Sequence, residues 1–258
     1  MRTFRAGGVA VSERGAGPPI LLVHAGGSTG AVWNPVAERL AGAFRVLVYD
    51  RPTYRTPRPV GGAEAVAAEV ADLLTVAGAV DEPLLVVGHS SGAVVVLETA
   101  LQQRFAGLLL YEPPVGRPID GEALRRARAA LDRGDPREAM IIHARDIVGA
   151  HRLGVLVFRL LPFVGRPLLA HAAGQIADDE ALESLGVGVD RYAAVDVPVL
   201  LLGGERSPAH LRAGLDALAA VLPRADPVEI LAGQGHIATV RAPDQVAVVI
   251  AGFAGRVL

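Results

Sequence analysis

The sequence contains no cysteine and no lysine. Without cysteine there is no thiol nucleophile, no thiolate metal site and no disulfide, and composition carries no mark of the redox compartment. Without lysine, Schiff-base chemistry and a phosphate-cradling P-loop are excluded. All 25 basic residues are Arg, and against 27 acidic residues they leave a net charge of only −2. Such a balance makes no electrostatic case for nucleic acid. Met1 to Arg14 is polar and charged where a secretory signal would need an apolar core. The most apolar later stretch, Leu153 to Ala170, is broken by Arg159, Pro162, Arg166 and Pro167. It is too short and too interrupted to span a bilayer. These absences lead to the expectation of a cytoplasmic enzyme acting on a small molecule, with no nucleic acid and no membrane span.

What is present is ample core material. The chain has 258 residues, 51% of them hydrophobic, which suits one large domain or one domain with an insertion. After short strands at Arg2 to Arg5 and Val9 to Val11, the run Ile20-Leu21-Leu22-Val23 reads as a strand buried on both faces. Apolar runs recur at Arg45 to Tyr49, Leu84 to Val87 and Gly107 to Tyr111. Between them, Val32 to Leu40, Ala63 to Val76 and Ser91 to Arg104 carry helical spacing. Strand and helix alternate, so the sheet should be mostly parallel with helices on both faces. The alternation stops after Glu112-Pro113-Pro114. Helical stretches follow at Glu122 to Arg133, Arg137 to His151, Val155 to Ala173 and Asp178 to Leu185. Alternation resumes with a strand at Val197 to Leu202, a helix at Pro208 to Leu222, a strand at Pro227 to Leu231 and a helix at Pro243 to Val257.

Sites in open parallel sheets lie beyond the carboxyl ends of the strands. The chain reads G-x-S-x-G there, as Gly88-His89-Ser90-Ser91-Gly92. A serine on such a strand–turn–helix elbow stands clear of the sheet, and the glycines allow the close approach of strand and helix. A serine nucleophile needs a base, and the base needs an orienting acid. His236, in the Gly-rich loop Gly233-Gln234-Gly235-His236 after the last strand, fits the base. The other six histidines read as structural: His24 as an organiser of loops, His89 as pointing away from the serine, and His143, His151, His171 and His210 as helical residues. Two backbone N–H groups should face the developing negative charge. The candidates are those of Ser91 and of Gly26, with Gly27 as the alternative.

These motifs resemble the α/β-hydrolase superfamily over nearly the whole chain. The resemblance rests on His24-Ala25-Gly26-Gly27, Tyr49-Asp50-Arg51, the elbow, Tyr111-Glu112-Pro113-Pro114, Gly233-Gln234-Gly235-His236 and the helical insert. It implies an α/β fold with a mostly parallel eight-stranded sheet. The core would be residues 1–114 and 195–258, and a helical cap would span residues 115–194. It also implies a serine nucleophile, a late histidine, a pocket shaped by the cap, and no cofactor or metal.

Two departures stand out. Members usually carry Asp a few residues past the strand at Val197 to Leu202, and here Ser207 takes that slot. Two carboxylates remain. Glu205 lies in the same loop. Glu112 ends the preceding strand, stiffened by two prolines and set behind an apolar run where an unpaired carboxylate is costly. Glu112 is the preferred acid. The second departure is Arg51-Pro52-Thr53-Tyr54-Arg55-Thr56-Pro57-Arg58-Pro59, where members often have glycines. It reads as a stiff, positively charged loop, either solvated or forming a pocket rim for an anionic group. Asp50 before it reads as a structural hydrogen-bond acceptor.

The expected activity is serine hydrolysis of a carboxylic ester, lactone or thioester. Leu, Val, Phe158 and Phe163 in the insert suggest a mainly apolar substrate. A non-hydrolytic lyase, cyclase or cofactor-free perhydrolase or oxygenase is the alternative, and a ligand-binding receptor on the same scaffold is a third reading.

Overall fold

The computed structural model describes residues 1–57, 59–149 and 166–258. Eight strands form one sheet: β1 (Arg2–Ala6), β2 (Val9–Arg14), β3 (Pro19–Val23), β4 (Arg45–Tyr49), β5 (Leu85–His89), β6 (Gly107–Tyr111), β7 (Val199–Gly204) and β8 (Glu229–Leu231). Their order is β1-β2-β4-β3-β5-β6-β7-β8. The β1–β2 and β2–β4 pairs are antiparallel and the rest are parallel. β2 runs three residues past the apolar Val9–Val11 core of its pattern, because Ser12, Glu13 and Arg14 continue the ladder against β4.

Among the described residues the helices are α1 (Asn34–Leu40), α2 (Gly62–Ala77), α3 (Ser91–Ala100), α4 (Gly121–Asp132), α5 (Pro136–Ile142), α6 (Arg166–Ala170), α7 (Ala172–Leu185), α8 (Ala209–Val221), α9 (Ala238–Arg241) and α10 (Pro243–Val257). The two-residue period of β3 divides the core. Leu21 and Val23 pack with residues of α2, α3 and α8, while Ile20 and Leu22 pack with residues of α1 and α10. Both faces of the sheet are therefore covered, as continuous apolar strands require.

Between β6 and β7 no strand occurs among the described residues. Here α4, α5 and α7 share a small apolar cluster that includes Leu124, Ala127, Ile142 and Ile176. α5 continues into a π-helical turn at His143–Ile147. α7 begins six residues before the helix read over Asp178 to Leu185 and takes in Ala172 and Ala173, the end of the helix expected over Val155 to Ala173. Phe158, Phe163 and the first part of the helix expected over Val155 to Ala173 lie outside the described residues. No helix among the described residues is long and apolar enough to cross a membrane.

Candidate active site

The site begins with a strained serine. Ser90 sits between β5 and α3 with φ 55° and ψ −128°. Glu112, at the end of the neighbouring strand β6, has φ 48°. They are the two non-glycine residues with positive φ among the described residues. Such backbone costs on the order of 1–3 kcal/mol and persists where the surroundings over-determine it. The surroundings do so here. The Ser90 N–H donates to the Tyr111 carbonyl at 2.8 Å, and that of Glu112 to Leu202 at 3.0 Å. A Cβ on Gly88 would lie 2.5 Å from Ala93 Cα, and one on Gly92 would lie 2.3 Å from the His24 carbonyl oxygen. The elbow is packed main chain against main chain, which only glycine permits.

The structure brings His236 and Glu112 together. His236 Nδ1 lies 2.6 Å from Glu112 Oε2, and the other carboxylate oxygen accepts the Gly204 N–H at 2.7 Å. The Glu112 side chain is 1% exposed and that of His236 is 32% exposed. Glu205 is exposed and accepts the Gly233 N–H instead. Ser207, in the usual acid slot, has a buried hydroxyl with no partner among the described residues. His89 is not directed away from the site. Its ring stacks on Tyr111 at 4.6 Å and lies 4.8 Å from the His236 ring. Its Nε2–H donates to the His236 carbonyl at 2.8 Å. Burial, and then the neighbouring His236, hold the His89 pKa well below its ordinary value, so it braces that loop as a neutral ring.

Ser90, Ser91, Gly26 and His236 line one cavity of about 470 Å³. The Gly27 N–H is taken by Tyr54 Oη at 3.0 Å. Those of Gly26 and Ser91 meet no acceptor among the described residues. Asp50 accepts the Gly30 N–H at 2.7 Å, a local structural contact.

The loop after Asp50 departs from the sequence reading. Arg51 is neither solvated nor a rim cation. Its side chain is 1% exposed, with Glu69 Oε2 at 2.9 Å and both Asp178 oxygens in reach. Its Nη1 also donates to Ser91 Oγ at 2.9 Å, and Ser91 in turn donates to Asp178 at 2.7 Å. Tyr54 donates to the same carboxylate at 2.7 Å. Arg55 pairs with Asp72; Arg58 lies outside the described residues. His24 accepts the Arg51 N–H at Nε2, so its Nδ1–H faces the Ala25 carbonyl. Burial, reinforced by the Arg51 charge, lowers the His24 pKa to about 3. Sequence reasoning missed Asp178, Asp179 and Gln175. On a 3.6-residue period these polar residues share one face of α7 with Leu182, the signal the sequence offered, and the structure buries all three polar side chains. Among the described residues no group of three or more His, Asp or Glu is arranged to hold a metal ion.

Comparison with known proteins places this geometry in context. The family model described as the Alpha/beta hydrolase family matches residues 20–249. An alpha/beta hydrolase from Sphaerobacter thermophilus has a solved structure that superposes with a TM-score of 0.79 at 28% identity, over 98% of this chain and 99% of that one. The uncharacterized hydrolase YraK of Bacillus subtilis is 30% identical over 125 residues, 46% of either chain. A pimeloyl-[acyl-carrier protein] methyl ester esterase from Aeromonas hydrophila is 32% identical over 93 residues, 36% of either chain. The chain thus spans less than half the length of these two curated relatives.

Proposed function

The chain belongs to the alpha/beta hydrolase family, and on that premise we propose that it is a serine hydrolase of carboxylic esters, lactones or thioesters. The observation that carries the reading is the 2.6 Å contact of His236 with buried Glu112 at the wall of the cavity that Ser90 also lines. Ser90 Oγ attacks the acyl carbon while His236 Nε2 takes its proton. Glu112 accepts from Nδ1–H, holding the tautomer and stabilising the imidazolium. The carbonyl oxygen, now negative, receives the Gly26 and Ser91 N–H groups, each worth roughly 10²–10³ in rate. Collapse of the tetrahedral intermediate expels the alcohol or thiol, which His236 protonates. Water, deprotonated by His236, then attacks the acyl-enzyme, and Ser90 leaves with its proton restored. No cofactor enters the scheme.

Residues 115–194 act in this reading as a cap over the site, in keeping with Gln175, Asp179 and Leu182 of α7 on the cavity wall. Much of the rest of that wall is apolar, including Val115, Ile119, Leu168 and Ile237, and this supports a mainly apolar small-molecule substrate. Non-hydrolytic chemistry drew its appeal from the missing acid in the usual slot. With a carboxylate on His236, no observation favours it.

A fluorophosphonate probe tests the core claim. Intact mass should rise by one adduct, mapped to Ser90, and Ser90→Ala should take none. A folded sample that does not label, or labelling unchanged in Ser90→Ala, overturns the proposal.

A further inference from the structure

The cavity wall carries a second histidine–carboxylate pair that the acyl-transfer scheme does not use. His143, the first residue of the π-helical turn after α5, has Nδ1 2.6 Å from Asp179 Oδ2 on α7. The other Asp179 oxygen accepts from Gln175 Nε2 at 3.0 Å. Both Asp179 oxygens are therefore engaged, and the carboxylate is 4% exposed. The His143 ring is 14% exposed, and its one side-chain hydrogen bond among the described residues is the one at Nδ1. His143, Gln175 and Asp179 all line the cavity that holds Ser90 and His236.

A bland account would make the pair a strut between α5 and α7. Two observations go further. A buried ion pair is a weak source of stability, and apolar side chains of equal volume would join two helices at least as well. Here the neighbours on the wall, Ile147, Leu168 and Leu182, already form such an apolar surface. Moreover, the ring stands at a π-turn, in which Val148 N–H reaches back to the His143 carbonyl at 2.9 Å. Turns of this kind are rare and concentrate at functional sites.

We propose that His143, oriented by Asp179, is a specificity-determining residue that donates a hydrogen bond from Nε2 to a second carbonyl oxygen of the substrate. The preferred substrates are then esters, thioesters or lactones that carry a keto, amide or carboxylate oxygen away from the scissile bond. The inference rests on the acyl-transfer reading of the same cavity. Asp179 is a positioning residue: it accepts from Nδ1–H, so the free edge of the ring is the Nε2 edge. Burial disfavours the charged ring, but the Asp179 charge and hydrogen bond outweigh it and raise the His143 pKa above its ordinary value. This favours a donor at Nε2.

The test compares matched p-nitrophenyl esters: an alkanoate against the oxo-alkanoate of equal chain length. A second matched pair carries the extra carbonyl on the alcohol side. The readout is the ratio of kcat/KM within each pair. The wild-type protein should prefer the carbonyl-bearing member of at least one pair on the order of tenfold to a hundredfold, the scale of one charge-assisted hydrogen bond. In His143→Leu that ratio should fall to near one. In Asp179→Asn it should be intermediate, with the change in KM. A ratio near one in the wild-type protein for both pairs, or a preference that survives in His143→Leu, overturns the inference. So does an equal fall of both esters in both variants, which is what a strut would give. Fluorophosphonate labelling of Ser90 reads the acyl-transfer proposal separately and can succeed while this one fails. Should no ester turn over, calorimetric affinities of the same pairs for Ser90→Ala and for Ser90→Ala/His143→Leu supply the ratio. A ratio near one in Ser90→Ala, or one that survives the loss of His143, then overturns the inference, and a ratio that collapses with His143 supports it.

Discussion

On the β3–β4 side of the elbow, Arg51 is locked between Asp178 and Glu69, and all three side chains are 3% exposed or less. On the β6–β8 side, Glu112 is just as buried, but it holds a single imidazole that opens on the cavity. The two clusters use similar chemistry for opposite ends. In the first, the charge is permanent: guanidinium does not titrate in proteins. Ser91 and the His24 carbonyl accept from it, and Tyr54 donates to its partner Asp178, so all three are held in place. In the second, a buried carboxylate faces an imidazole that is one-third exposed. Sealing a charge makes a scaffold; leaving its partner at a cavity wall makes, in the proposed scheme, a reagent.

The sharpest way to break this comparison is Glu112→Gln. If the second cluster handles protons, kcat for ester hydrolysis falls about 10³–10⁴-fold, as expected for an imidazole left without its carboxylate. Glu205→Gln changes it by no more than about twofold, since exposed polar contacts contribute little. Steady-state kinetics on one ester decides, and the reverse pattern moves the acid to Glu205.

Next in size is Asp178→Ala. It leaves Arg51 short of its bidentate partner in a buried site, and breaking such a pair costs about 3–5 kcal/mol. Urea denaturation measures it; a loss under about 1 kcal/mol would show that the cluster is no scaffold.

A smaller effect comes from pH. His24 and His89 are neutral in the folded protein well below pH 6.5, their ordinary midpoint. As pH falls through 6.5 the unfolded chain binds protons that the folded chain refuses. Stability therefore drops towards acid, by about 1.4 kcal/mol per pH unit for each ring once the unfolded histidine is charged. His143, raised instead, acts above 6.5 and leaves this window alone. Denaturant midpoints between pH 6.5 and about 5 read the slope, and His89→Gln should reduce it by close to one proton.

The smallest effect is Ser91→Ala. Its hydroxyl bridges Arg51 and Asp178, which keep their direct contact. The loss is about 1 kcal/mol, and in the proposed scheme kcat changes less than about tenfold, because the N–H assigned there to the oxyanion belongs to the backbone. A far larger fall in kcat would tie the two clusters into one machine.

What the sequence disclosed follows the range over which each signal acts. The strands were legible because Ile20–Val23 or Leu108–Tyr111 must be apolar on both faces wherever the chain goes next. The contact of Glu112 with His236 could be anticipated because a carboxylate behind such a strand and before two prolines has few places to go. Arg51 was misread because its partner lies 127 residues away on α7, and a loop rich in Arg and Pro looks solvated until that partner is seen. The His143–Asp179 pair was hidden for the same reason. Each residue alone reads as an ordinary helical polar group, and only the packing of α5 on α7 joins them.

The close approach of Gly92 to the His24 carbonyl, which leaves no room for a Cβ, sets a temperature property. It presses the first turn of α3 against the end of β3, so the Ser91 N–H sits at a fixed remove from the loop that begins at Ala25. That spacing contains no rotatable side chain. Warming frees rotamers long before it separates close-packed main chains. If the Gly26 and Ser91 N–H groups serve as proposed, they should hold their gauge until the sheet itself melts, and heat should abolish turnover together with the fold rather than ahead of it.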